Sequence, residues 1–248
     1  MKIDYPSPEE RRATIRKITR EGMADRRSLF SDFREMYRNL GLRVIFYDMA
    51  DVFFIAALVT AFVLCGLAEN FRYLAGQRNN FYAKLFAVSP TLYLLLCLLG
   101  FWKEKLSDTY DVKMSCKYTV CHLTAFRMLA FSCAGILVNL AAVGIFCTAG
   151  GVPDFWQVFL VSTSSLFLFS VLLLWSLFRA GGLAAPTFAA AAWFPANLLL
   201  EYLFPSGYGR FLVEMPLYLH LAVTVALACF YFAGLKRLIS QQKERILC

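Results

Sequence analysis

At 248 residues the chain has length for one six-span membrane unit, unlike a transporter that repeats itself within a single polypeptide, so if it transports it is expected to need a second copy or a related subunit. Its net charge of +8 needs no nucleic acid to explain it, because basic residues facing an anionic leaflet are what a polytopic protein carries. Two histidines, His122 and His220, give no economical construction of a His-centred triad or zinc site.

The first forty residues are charged throughout and hold no apolar core of signal-peptide length, which makes the first span the expected targeting signal. Ser7 and Glu10 have capping-box spacing with Pro8 at the first helical position, so a helix is expected to begin there. Leu29, Phe33, Met36, Tyr37 and Leu40 then recur at intervals that form one face, leaving Arg26, Arg27, Arg34 and Arg38 for the other. Such a helix suits the inner membrane surface. The same face would also bury against a soluble partner, and both readings stay open. Residues 1–41 are therefore read as cytoplasmic or interfacial amphipathic helices, and 42–248 as a membrane domain.

Six uncharged apolar stretches follow, at 52–68, 85–102, 128–152, 155–178, 180–200 and 215–235. Each is near or above the roughly 17–25 residues that a helix needs to cross the hydrocarbon. Lipid offers the backbone no partners, so long apolar runs without a period of two satisfy themselves as helices, and the expected fold class is all-α. Of the 25 basic residues, 21 fall in the N-terminal segment, the 103–127 connection, Arg179 and the tail after Leu235. Only Arg72, Arg78, Lys84 and Arg210 fall in the other set, which puts both termini in the cytoplasm of a plasma-membrane protein.

Asp48 and Asp51 stand three apart before the first span, yet no later span supplies the second buried Asp that an aspartyl protease needs. They are expected at the interface, paired with Arg43 or a head group. Cys65, Cys97, Cys133, Cys147 and Cys229 lie inside spans, where Cys acts as a small apolar residue and no disulfide is implied. Cys116, Cys121 and His122 form a C-x4-C-H run that lacks a fourth zinc ligand. Asn139, Asn197 and His220, with the hydroxyls at 162–165, are the few polar groups at membrane depth, and either line a pathway or bond a neighbouring helix. In the fifth span Gly181, Ala185 and Ala189 repeat every fourth position as a helix-packing face, while Pro186 and Pro195 allow a kink. The connection 201–214, with Pro205, Gly207 and Gly209 among aromatic residues, suits a re-entrant segment before the last span.

Neither a phosphate-binding G-x-x-x-x-G-K-[ST] run nor an H-E-x-x-H, G-x-S-x-G or dinucleotide glycine pattern occurs, so no residue set argues for catalysis or a bound cofactor in this chain. Between the second and third spans, Ser107 or Asp108 caps a short expected helix whose Tyr110, Met114 and Tyr118 share a face. Here the order of residues resembles the intracellular connection of type-2 ABC transporter permeases. Glu104 opens the pattern, Thr109 follows five later, Asp111 is the acid, Thr119 the hydroxyl and Arg127 the terminal base. Asp108 stands in place of the family's usual Gly, and no Pro precedes the hydroxyl.

The resemblance implies a six-span permease subunit of an ABC exporter, paired with an identical or related permease. Its coupling helix, with Glu104, Thr109, Tyr110, Asp111, Met114, Thr119 and Arg127, would dock into a separate ATP-binding cassette subunit that holds ATP and Mg. An amphipathic peptide, a lipid-linked compound or a drug would suit the aromatic-rich spans. Two other functions are carried beside it: a membrane scaffold or sensor subunit that holds a soluble partner through the N-terminal arginines, and a small intramembrane lipid-modifying enzyme.

Overall fold

The computed structural model describes residues 49–69, 78–106, 120–148, 154–180, 184–204 and 207–246, with isolated positions 9, 14, 34, 38 and 46. The chain divides into two units, Met1–Leu42 and Arg43–Cys248, and the second holds every helix described below. The expected N-terminal amphipathic helices, Asp48, Cys116 and the segment 107–119 lie outside the described residues.

Every described element is a helix: α1 Ala50–Glu69, α2 Arg78–Val88, α3 Thr91–Leu106, α4 Val120–Thr148, α5 Phe155–Ala180, α6 Ala184–Leu203, α7 Gly207–Glu214 and α8 Leu217–Ile246. Four segments are long and apolar enough to cross a membrane: 80–103 across α2 and α3, 123–148 in α4, 155–179 in α5 and 217–239 in α8. They mark the protein as membrane-embedded. Helix α1 is a shorter apolar helix, and Pro195, Asn197 and Glu201 dilute the apolar character of α6.

The ends of these helices follow from their residues. Asp51 lies in the first turn of α1, where a carboxylate meets the positive end of the helix dipole. Asp154 precedes α5, and its carbonyl accepts from the Val158 amide at 3.2 Å, as an N-cap residue's does. Pro186 falls in the first turn of α6, where its missing N–H costs nothing.

Helix α5 is the centre of the bundle, touching α2, α4, α6 and α8. Within its apolar window 72 % is buried, against 17 % for α8, so α5 is surrounded by protein and α8 faces outward. Close approach of α4 to α5 and α3 needs Gly135, where a Cβ would lie 2.7 Å from the Leu166 side chain. At one end, Phe46, Phe53 and Phe131 pack edge to face or tilted, and Met49 lies against Gly100. At the other, Phe81 and Tyr82 of α2, Phe146 of α4, Val158 of α5 and Leu212 of α7 form a buried cluster. The outward surface of α1, α6 and α8 presents Phe54, Phe62, Phe188, Tyr202 and Phe230, an apolar exterior that suits hydrocarbon rather than water.

One expectation is corrected. The stretch 85–102 is not one uninterrupted helix: it breaks at Ser89 and Pro90, because proline supplies no N–H and disfavours helical geometry in the residue before it. Asp51, expected at the interface with Arg43 or a head group, pairs with Lys103 at 3.3 Å and joins the start of α1 to the end of α3, while Arg43 lies outside the described residues. Within the connection 201–214, expected as a re-entrant segment, helix α7 packs against α2 and buries Leu212.

Candidate functional site

The break in the segment 80–103 lies inside the bundle, with Ser89 buried, so released backbone groups need partners from neighbouring helices. In an unbroken helix the amide of residue 90 would bond the carbonyl of Phe86. Pro90 cannot, and the Ser165 hydroxyl of α5 donates to that carbonyl instead. The next carbonyl, Ala87, accepts from Trp193 Nε1 of α6 at 2.9 Å, and Val88 accepts from the Thr91 hydroxyl. Three consecutive carbonyls are thus served by side chains from α5, α6 and α3. Irregular backbone at membrane depth persists only where protein supplies such partners.

Ser89 itself is held from two sides. Its hydroxyl lies 2.6 Å from the Ser162 carbonyl and 2.8 Å from the Ser162 hydroxyl, while Asn139 Nδ2 of α4 donates to Ser89 Oγ at 2.8 Å. The ring of Trp193 is fixed by stacking on Phe86 and by an edge contact with Phe169, with centroids 6.1 and 5.3 Å apart. Rigid aromatic packing therefore aims the indole N–H at the break.

Helix α7 closes over one side of this region. Tyr208 donates to Asn197 Oδ1 at 3.0 Å, and Asn197 Nδ2 donates to the Trp193 carbonyl at 2.9 Å. Burial, reinforced by the nearby Glu201 charge, pushes the Tyr208 hydroxyl up to about 12, so it stays a neutral donor. At the C-terminus of α7, Gln157 Nε2 donates to the Val213 carbonyl at 2.7 Å, and His220 Nε2 lies 3.1 Å from the Leu212 carbonyl. These contacts satisfy carbonyls that a helix end leaves open. On its exposed side, Arg210 bonds Glu214 at 2.6 Å, which raises the guanidinium above its ordinary value.

Next to the break, α1, α2 and α6 line a half-open cavity of about 350 Å³. Val63, Val88, Phe194 and Leu198 give it an apolar wall, with Lys84 and Glu201 at its polar edge. Chemically, the arrangement offers a bent segment, a polar seam and a space between helices, the ingredients from which membrane proteins build binding sites.

Of the expected polar residues, Asn139 holds Ser89, Asn197 holds Tyr208 beside the cavity, and His220 meets α7. They gather around one feature, the break and the helix covering it. Arg127 is buried in α4 at the opposite end, beside Met49 and Gly100. Glu104 belongs to the last turn of α3. Thr109, Tyr110, Asp111, Met114 and Thr119 lie outside the described residues, as does Gly181. Ala185 belongs to the first turn of α6, and Ala189 is half-buried one turn further on. Ser89, Pro90 and Trp193 were not singled out by sequence reasoning, whereas Ser165 belongs to the hydroxyls at 162–165 expected to line a pathway or bond a neighbouring helix, and it bonds Phe86. The Ser-Pro dipeptide inside an apolar run was the available signal. Cys65, Cys97, Cys133, Cys147 and Cys229 carry free thiols, and among the described residues no group of three or more His, Cys, Asp or Glu could hold a metal. Comparison with family models, with curated proteins and with solved structures finds no match to this chain.

Proposed function

We propose that the chain is the transmembrane permease subunit of an ATP-driven exporter, one of two such subunits, energised by a separate ATP-binding cassette chain that holds ATP and Mg. In this reading α1, the α2 and α3 pair, α4, α5, α6 and α8 are the six spans, with both termini on the cytoplasmic side of the plasma membrane. The coupling role falls to the connection from Glu104 to Arg127. The cargo is an amphipathic peptide, a lipid-linked compound or a drug.

The observation that carries the reading is the interrupted second span. Helix α3 has the Glu104 connection at one end and the break at Ser89 and Pro90 at the other, and beyond the break α2 forms a wall of the 350 Å³ cavity. A push on the connection would reach the cavity through one rigid helix and one bend. Partner closure can drive a chain without a nucleotide site only through such an element. The pattern from Glu104 to Arg127 and the return of α7 before the last span support the same reading.

The test is reconstitution in vesicles. The isolated chain should hydrolyse no ATP, because it lacks the loop and lysine that hold the phosphates. With its ATPase present, Glu104→Lys or Asp111→Lys should lower both stimulated hydrolysis and export, while equal changes at Lys243 and Glu244 should not. Tail changes as damaging as the connection changes would end the coupling assignment. A non-ATPase partner captured through residues 8–40 would replace it with the scaffold reading, and lipid turnover by the chain alone with the enzyme reading.

A further inference from the structure

We propose that the cavity between α1, α2 and α6 is a resident lipid site that takes one acyl chain of a zwitterionic phospholipid, its phosphate at Lys84 and its ammonium at Glu201. The inference does not depend on ATP-driven transport. It begins with the size and lining of the space. About 350 Å³ equals roughly ten water volumes and falls within the range of small-molecule sites.

Away from Lys84 and Glu201, water is a poor occupant. The wall is formed by Val63, Gly66, Val88, Phe194 and Leu198, and the amide of Asn197 is committed on both sides, to the Trp193 carbonyl and the Tyr208 hydroxyl. A water needs two to four polar partners, and apolar cavities without them hold apolar guests. The cavity also adjoins the lipid-facing exterior. Phe62 on α1 and Tyr202 on α6, next in sequence to lining residues, are among the most exposed side chains of the bundle. A chain can therefore enter sideways from the bilayer.

Charge then selects the head group. Lys84 and Glu201 both border the space, and neither has an ion-pair partner among the described residues. An anionic lipid or a fatty acid would satisfy the lysine and set its own negative charge against the carboxylate. A ligand carrying both a phosphate and an ammonium answers both groups at once. Gly66 gives the site a clean plug, because a Cβ there meets nothing within 4 Å. A side chain added at this lining position starts in open space.

The experiment uses the full chain in vesicles containing phosphatidylethanolamine with a photoreactive group near the end of one acyl chain, and maps the adducts by peptide mass spectrometry. Saturable labelling near Val63 to Gly66 and Phe194 to Leu198 is expected, competed by unlabelled phosphatidylethanolamine and not by phosphatidylglycerol. Gly66→Leu should lower labelling about tenfold or more, since it removes the buried volume for the chain. Lys84→Gln and Glu201→Gln should each lower it about two- to fivefold, the range of a solvent-accessible ion pair. Exchanging the two charges, Lys84→Glu with Glu201→Lys, should restore it. Thermal midpoints of the lipid-depleted variants, equal to wild type, establish that the fold is intact. Labelling that does not saturate, equal competition by phosphatidylglycerol, or a Gly66→Leu chain labelled like wild type would each overturn the proposal.

Discussion

Replacing Ser165 by Ala removes one hydroxyl from the middle of α5, and its cost should depend on a residue 75 positions away in the chain, Pro90. Ser165 is fully buried and donates to the Phe86 carbonyl, the group that Pro90 leaves without an amide donor. A buried carbonyl stripped of its donor costs about 1–3 kcal/mol. Side-chain hydrogen bonds measured inside bilayers run lower, about 0.6–1.7 kcal/mol, so about 1.5 kcal/mol is expected. In a chain carrying Pro90→Ala, residue 90 regains an N–H, and a continuous helix directs it at the same carbonyl. There Ser165→Ala should cost less than about 0.5 kcal/mol. The double-mutant cycle should therefore show a coupling of about 1 kcal/mol, whatever Pro90→Ala does by itself.

The probe is thermal exposure of the Cys97 thiol, only 1 % accessible in the folded chain, with the other seven cysteines replaced. At about 2–4 °C per kcal/mol for a chain of this size, Ser165→Ala should lower the midpoint by about 3–6 °C with Pro90 present and by about 1–2 °C without it. Equal losses in both backgrounds would refute the claim that the serine stands in for the missing amide.

Other perturbations follow from the packing. Gly135→Ala should destabilise by about 1–3 kcal/mol, because the new methyl meets Leu166 at 2.7 Å, whereas Gly144→Ala in the same helix meets nothing and should be neutral or stabilising in the same melt. Gln157→Leu frees the C-terminal carbonyls of α7 and should raise hydrogen exchange there, leaving α4 and the middle of α5 protected; unchanged exchange in α7 would show that Gln157 does not hold it. Asp51→Asn breaks an exposed pair and should shift the midpoint by no more than about 3 °C. Thiol labelling of Asn79→Cys and Ser107→Cys in otherwise cysteine-free chains should give opposite sidedness, and labelling of both from outside would defeat the charge-derived topology.

The helices themselves were legible because hydrocarbon demands what the sequence displays, long uncharged runs. The run 85–102 shows the limit of that reading. Its apolar average conceals Ser89 and Pro90, and averaging over a window cannot register one missing amide. The start of the same element was also hidden, since α2 begins at Arg78 and carries Asn79, Asn80 and Lys84, residues that a hydropathy reading assigns to a loop. Asn139, Asn197 and His220 stood out as polar residues in apolar surroundings, but their partners did not. Asn139 bonds a residue 50 positions away and Trp193 one 106 positions away, and no local period encodes such separations. Asp51 was readable as a charge before the first apolar run, yet its partner Lys103 lies 52 residues on, a separation that no local pattern encodes.

Those separations have a consequence for the order in which the chain is made. When α2 and α3 leave the ribosome, the hydroxyl that serves Phe86 lies 79 residues ahead and the indole that serves Ala87 lies 106 ahead. Neither has yet been synthesised. During that interval the bent segment has open carbonyls and no protein to cover them, a state that hydrocarbon penalises heavily. The nascent segment 80–103 should therefore stay at the edge of the bilayer until α6 emerges and the indole docks. A pulse-chase with a crosslinker at residue 89 should report that delay, and a chain truncated after α5 should never release the segment into lipid.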